Sequence, residues 1–178
     1  MQRYYRGIIT RRNIKNEYGF EANTMGGKKI QKEPQTDDQV VEARRLVQSI
    51  RENLPEFAYD KVSNPKNITK PKMTLENGAE YDGEWDDQNH RSGKGVQVWV
   101  DGSLYEGYWN MDKANGPGRL IHADGDVYNG DWKDDKAHGF GVYNHTDGAK
   151  YEGYWFEDKQ HGKGKEVWPD NACYEGDY

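Results

Sequence analysis

The sequence predicts an all-β repeat protein: an elongated, curved antiparallel sheet of successive β-hairpins, preceded by an N-terminal extension with one short helix. Three observations predict it. G-x-G recurs at Gly93/Gly95, Gly116/Gly118, Gly139/Gly141 and Gly162/Gly164, always 23 residues apart. Y-x-G-x-W keeps step with it, at Tyr81-Gly83-Trp85, Tyr105-Gly107-Trp109, Tyr128-Gly130-Trp132 and Tyr151-Gly153-Trp155. Turn pairs close the units at Asp101-Gly102, Asp124-Gly125 and Asp147-Gly148, with Asp170-Asn171 last. A fixed period of this length means units that stack because one alone cannot bury its apolar face. A fifth copy opens with Tyr174-Gly176 and carries Tyr178 where tryptophan is expected.

Four segments follow. Residues 1–33 form a basic, irregular arm with 8 Lys/Arg against 3 Asp/Glu. Gly26-Gly27 with Lys28-Lys29 predicts flexibility there, and no structure is assigned to it. The arm lacks the apolar run of a secretory signal and reads as a docking arm or as a mitochondrial targeting segment. Residues 34–55 predict an amphipathic helix. Thr36 caps its amides, Gln39 reciprocates, and Asp37 and Asp38 suit the positive helix end. Val40, Ala43, Val47, Ile50 and Leu54 share one face, and Pro55 stops the pattern. A single short helix needs cover from the repeats or from a partner. Residues 56–73, with Asn64-Pro65 and Lys70-Pro71, read as an extended linker.

Residues 74–178 are the repeat sheet: four repeats plus a partial fifth. Tyr, Gly and Trp at i, i+2 and i+4 lie on one face of a strand, and the alternating acids, Asp82, Glu84, Glu106, Asp131 and Glu152, turn outward. The central glycine is expected to leave room for a ring from the adjacent unit. A polar loop of six or seven residues, such as Asn110–Asn115, is expected before each G-x-G, with glycine serving the hairpin loop. Second strands then begin at Val96, Arg119, Val142 and Lys165. The first unit has one residue more, placed between Trp85 and Gly93, where a loop absorbs it without changing register.

The strings Tyr151-Glu152-Gly153-Tyr154-Trp155 with His161-Gly162-Lys163-Gly164, and Tyr105-Glu106-Gly107-Tyr108-Trp109, resemble the MORN repeat (membrane occupation and recognition nexus). Tyr128-Asn129-Gly130-Asp131-Trp132 is similar to it as well. The resemblance implies successive MORN β-hairpins in a scaffold or adaptor of the kind found in ciliary axonemes and other cytoskeletal assemblies. It implies a place in the cytoplasm or cytoskeleton, with the axoneme of a cilium or flagellum leading.

Candidate chemistry is thin. His138 and His161 share one repeat position and His122 and His145 another. Equivalents stand about 10 Å apart by strand spacing, against zinc–nitrogen bonds of about 2 Å. They read as polar caps or ladder residues. The G-x-G pairs precede strands, whereas a phosphate loop opens a helix. Asp86-Asp87 and Asp134-Asp135 lack the distal glutamate of a calcium loop. No catalytic, metal or cofactor residue is assigned. Cys173 is the single cysteine, so the chain holds no internal disulfide. Residues 74–178 carry 10 Lys/Arg against 22 Asp/Glu, which disfavours nucleic acid and anionic lipid.

Protein interaction remains. The aromatic face offers Tyr81, Trp85, Trp99, Tyr105, Trp109, Tyr128, Trp132, Tyr143, Tyr151, Trp155 and Trp168 as rigid anchors. Arg11 and Arg12 belong to the arm, which suits an acidic partner such as a microtubule surface. The half-unit at Tyr174–Tyr178 leaves an edge for another MORN chain or other partner. The expected function is a non-catalytic scaffold; the alternatives are a phosphoinositide- or membrane-associated adaptor, or a positioning module for a catalytic partner.

Overall fold

Why the helix begins and ends where it does is visible at its caps. In the computed structural model, which describes residues 35–178, α1 spans Asp37–Asn53. The Thr36 hydroxyl accepts the Gln39 amide at 3.3 Å while the Gln39 side chain accepts the Thr36 amide at 2.9 Å. This reciprocal pair satisfies two of the amides that a helix start leaves unpaired. Leu54 is extended and donates its N–H to Ile50 O at 3.1 Å, and Pro55 follows. The readings of residues 1–33, Arg11 and Arg12 included, lie outside the described residues.

Among the described residues, eleven strands form one open antiparallel sheet. They are β1 (Ile68–Thr69), β2 (Met73–Thr74), β3 (Glu80–Trp85), β4 (Arg91–Val98), β5 (Leu104–Asn110), β6 (Lys113–Ile121), β7 (Val127–Lys133), β8 (Lys136–Asn144), β9 (Lys150–Phe156), β10 (Lys159–Val167) and β11 (Cys173–Asp177). From β3 onward each strand pairs with its sequence neighbour. Both β1 and β2 pair with β3, so they are two pieces of one edge strand. The break falls at Lys70–Lys72, where Pro71 has no N–H for a ladder. The end of the expected linker is thus part of the sheet.

Two turn types alternate. The returns follow the Asp-Gly pairs: Trp99 N donates to Ser103 O at 2.9 Å and Gly102 N to Trp99 O at 3.0 Å. Gly102 has φ +95°, which glycine alone adopts freely, and the Asp101 carboxylate takes the Ser103 amide at 2.9 Å.

The other turns correct the sequence reading. In place of a six- or seven-residue loop, β5 and β6 are joined by Met111-Asp112 alone, with φ +47° and +66°. Asp134-Asp135 and Glu157-Asp158 match, at +49°/+67° and +47°/+65°. Two consecutive left-handed residues make a type I′ turn, whose twist suits paired strands. The polar stretch is therefore strand, and G-x-G lies inside it rather than in the loop. There the register shifts: Gly107 faces Gly118 while Trp109 faces Ala114. The first unit's extra residue sits in its turn as expected, where Asp86 N reaches His90 O at 2.9 Å.

What offsets left-handed backbone at non-glycine residues is a clasp to the previous unit. Asp135 N donates to Ala114 O at 3.0 Å and its carboxylate takes the Ala114 amide at 2.7 Å. Asp158 does the same to Ala137, and Asp112 to Arg91. Burial pushes the Asp135 carboxyl up to about 6, against the lowering effect of the Ala114 amide.

Two cores lie on opposite faces of the sheet. One is the Tyr/Trp row with Ala79, Ala114, Ala137 and Leu120. The other gathers Val47 of α1 with Leu104, Ile121 and Val127, flanked by Ile50, Leu54, Val96 and Val98. The helix stripe is therefore covered mainly by the second hairpin.

Candidate interaction surfaces

On the first face, Tyr81, Tyr105 and Tyr128 each stand edge-on to two indoles, and Tyr151 to one indole and one phenol. Tyr105 meets Trp109 at 5.1 Å between centroids and Trp132 of the next unit at 5.3 Å. Tyr81, Tyr128 and Tyr151 repeat the pattern, and Tyr178 takes the tryptophan place beside Tyr151 at 5.0 Å. Edge-to-face pairs add to the burial energy of the rings. The hydroxyls of the four tyrosines and the indole N–H groups of Trp109, Trp132 and Trp155 all donate to main-chain oxygens. Tyr105 Oη donates to Tyr108 O at 3.0 Å, and Trp132 Nε1 to Gly118 O at 3.1 Å.

The glycines serve the ring of their own unit, which corrects the expectation of a neighbour's ring. A Cβ on Gly107 would stand 2.5 Å from Tyr105 Oη and 2.6 Å from Gly118 Cα. The tyrosine lies over its own glycine pair, and the next unit's tryptophan closes over the tyrosine.

This arrangement decides where the proposed anchors are. Tyr81, Trp85, Trp99, Tyr105, Trp109, Tyr128, Trp132, Tyr143, Tyr151 and Trp155 are all buried, and Trp168 is half-buried. Their area is taken up inside the chain, so they set the shape of the sheet rather than offering free rings to a partner.

The same face carries a polar cluster at positions where the repeats differ. Buried Asp126 accepts Tyr143 Oη at 2.9 Å and the Thr146 amide at 2.9 Å, and lies 3.2 Å from His145 Nδ1. Burial raises its carboxyl, but the bonds from His145, Thr146 and Tyr143 outweigh that and hold it well below the usual carboxylate range. The Asp126 bond in turn raises the His145 imidazole. Burial also raises Glu166, which accepts a weak bond from Tyr178 Oη at 3.4 Å. No group of three or more His, Cys, Asp or Glu among the described residues is placed to hold a metal ion.

The opposite face differs from its sequence reading. Glu106, assigned to solvent, is buried beneath α1 and the linker. It forms ion pairs with Arg119 and, at 2.9 Å, with Arg51 of the helix, and Arg119 also donates to Pro55 O at 2.8 Å. Tyr108 is likewise covered. Its hydroxyl accepts the Lys61 amide at 2.6 Å, and Tyr59 stands edge-on to it at 5.5 Å. Burial raises the Tyr59 phenol above its ordinary value. Glu84 accepts Ser63 Oγ at 2.7 Å and the Lys94 amide at 3.0 Å.

Over the last two units nothing among the described residues covers this face. Phe140 and Tyr154 are cross-strand partners with rings 5.7 Å apart, and both are exposed. Phe156 follows, between His138 at 5.2 Å and His161 at 5.6 Å. Sequence reasoning missed this strip because Phe140, Tyr154 and Phe156 fall between the repeat residues. The charge there also departs from expectation. On this face β7–β10 carry Lys133, Lys136, Lys150, Lys159, Lys163 and Lys165 against Asp131 and Glu152, while Glu157, Asp177 and Glu175 pair with Lys136, Lys163 and Lys165.

A family model for the MORN repeat matches residues 81–104, 105–127, 128–150 and 151–173, more than half of the chain. This chain belongs to the MORN-repeat family. Its matched units coincide with the strand pairs β3/β4 to β9/β10 plus the following return turn. No curated protein matches the chain. Among solved structures it is similar to the TCP domain of SAS-4 (dCPAP) of Drosophila melanogaster, solved with a proline-rich motif of Ana2 (dSTIL). That likeness has 10% identity and a TM-score of 0.27, covering 70% of this chain and 99% of that one. At that score it carries no argument. MORN-repeat proteins engage in protein or membrane interactions and are generally non-catalytic. No helix among the described residues is long and apolar enough to cross a membrane.

Proposed function

We propose that this protein is a non-catalytic scaffold or adaptor subunit that holds other proteins in a larger assembly. The observation that carries the reading is the unequal cover of one sheet face. The chain's own helix and linker dock on that face over the first two units, while Phe140, Tyr154 and Phe156 stand exposed over the last two. A rigid sheet that already accepts an extended segment has the form of a docking platform. The basic arm, with 8 Lys/Arg among residues 1–33, suits a second, acidic contact. An axonemal or other cytoskeletal setting is proposed on the family resemblance.

Native pull-down and mass spectrometry, with and without residues 1–33, tests the proposal. Stable stoichiometric partners, some lost with the arm, are expected. Recovery of a lone chain that floats with anionic liposomes in a salt-sensitive manner would overturn it in favour of a membrane adaptor.

A further inference from the structure

The opposite face supplies its own example of a bound ligand. Over units one and two the ligand is residues 56–61, Glu-Phe-Ala-Tyr-Asp-Lys, an extended segment with two aromatic and two acidic side chains. Tyr59 meets Tyr108 edge-on, Phe57 meets Tyr59 edge-on at 5.0 Å, and Lys94 Nζ lies 5.8 Å from the Tyr59 ring centroid. The pair that receives the segment is Lys94↔Tyr108. Two units on, the same register position is Phe140↔Tyr154. Tyr108 is 7% exposed beneath its segment, and Tyr154, with nothing over it among the described residues, is 51% exposed.

We infer that the strip Phe140–Tyr154–Phe156 is a docking site for an extended acidic segment bearing an aromatic residue, contributed by a partner protein. This rests on the scaffold reading and names its ligand class. Three features select that occupant. The exposed rings form a row that an aromatic side chain extends edge-on, as Tyr59 does at Tyr108. Of the six lysines on this face of β7–β10, Lys136, Lys150, Lys163 and Lys165 are paired with Glu157, Glu152, Asp177 and Glu175, which leaves two cations to meet an acidic side chain. Among them, Lys133 and Lys159 form no ion pair among the described residues. The same sign disfavours the chain's own arm, which is basic. The backbone of the segment is also recognised, since at Tyr108 the hydroxyl takes a main-chain N–H. Tyr154 Oη is the equivalent acceptor.

The test uses the full chain and a synthetic peptide of residues 55–61, Pro-Glu-Phe-Ala-Tyr-Asp-Lys, followed by amide chemical shifts. Without the tether that raises its local concentration, the peptide will bind weakly, so it is titrated to about millimolar levels. Saturable shifts centred on β8–β10 are expected. The Phe140→Ala/Tyr154→Ala double variant should weaken binding by about tenfold or more. Its melting temperature should stay close to the parent's, because both rings are half in water. Absence of saturable shifts would overturn the inference. So would shifts centred on Tyr108, unaffected by the double variant, because the peptide would then be exchanging with the linker. Binding of phosphatidylserine vesicles by this strip, with no response to the peptide, would assign it to lipid and overturn the inference. Partners retained by the double variant in pull-downs would leave the scaffold reading standing while removing this site from it.

Discussion

Single residues in this sheet are constrained by how near the two strands of a unit approach beneath a tyrosine. At Gly130 an added methyl would meet Gly141 Cα at 2.5 Å, and Phe140 O and Tyr128 Oη at 2.7 Å, so backbone on the neighbouring strand must move. Gly130→Ala should cost about 2–3 kcal/mol. Asp131→Ala, one residue away and exposed, should stay within about 0.5 kcal/mol. Urea melts of the two variants check the difference, and equal midpoints would refute the assignment of Gly130 to the packed face. A second residue-scale effect concerns His145 and Asp126. The His145 imidazole is raised by its carboxylate partner, so its contribution is complete below the unfolded histidine value of about 6.5 and is lost as pH rises through the folded value. Asp126 is depressed, so its contribution is present above the unfolded value of about 3.9 and lost only in acid. Between pH 5.5 and 8.5 the parent should therefore lose more stability than His145→Gln. Parallel slopes in thermal melts across that range would show that the pair carries no linkage.

At the scale of elements, the helix is attached by an ion triad set within apolar contact. Glu106 has almost no access to water and is bound by Arg119 and Arg51. Removing one cation leaves a poorly compensated buried charge. Arg119→Met should cost about 3–5 kcal/mol, and Glu106→Leu combined with it should recover most of the loss. Denaturant titration of the single and double variants measures this. A double variant no better than the single would mean that the triad sets geometry which hydrophobic groups do not replace. The clasped type I′ turns belong to this scale too. Asp112, Asp135 and Asp158 recur with the 23-residue period, so their signal was present in the sequence. It was obscured because the turn positions lack the Asn-Gly or Asp-Gly pair that usually marks a type I′ turn. Tertiary hydrogen bonds supply what local propensity does not.

Across the whole molecule, stability is nearest-neighbour in character, since each tyrosine is shared between its own tryptophan and the next unit's. Trp132 joins the second unit to the third through Tyr105 and Gly118 O. Trp132→Ala should cost about 3–5 kcal/mol locally. It should also divide the sheet into two cooperative blocks, β3–β6 braced by α1 and β7–β11, which shares the helix core only through Val127. Hydrogen exchange should then show protection falling further in β7–β11 than in β3–β6. A uniform fall across all strands would indicate a single cooperative unit. The asymmetry has a plain cause: α1 and the linker cover the opposite face over one half of the sheet only.

The sequence by itself determined the sheet. Its 23-residue period, the alternation of Tyr, Gly and Trp, and the Asp-Gly returns are local and repeated, and each repetition restates the same backbone geometry. The alternation also placed the rings on one face and the helix stripe on its own face, because strand and helix periods follow from bond geometry alone. Only the tertiary structure decided what those faces meet. Period two separates Glu106 and Tyr108 from the ladder, but it cannot say that a helix and linker from 50 residues upstream will cover them. Nor can it say that the anchors offered to a partner are already enclosed by one another. It likewise could not distinguish Tyr108 from Tyr154, which occupy the same repeat position, one covered and the other in water. Cover depends on long-range contact, and the linker covers the first units because it returns to the β3 edge as β1 and β2.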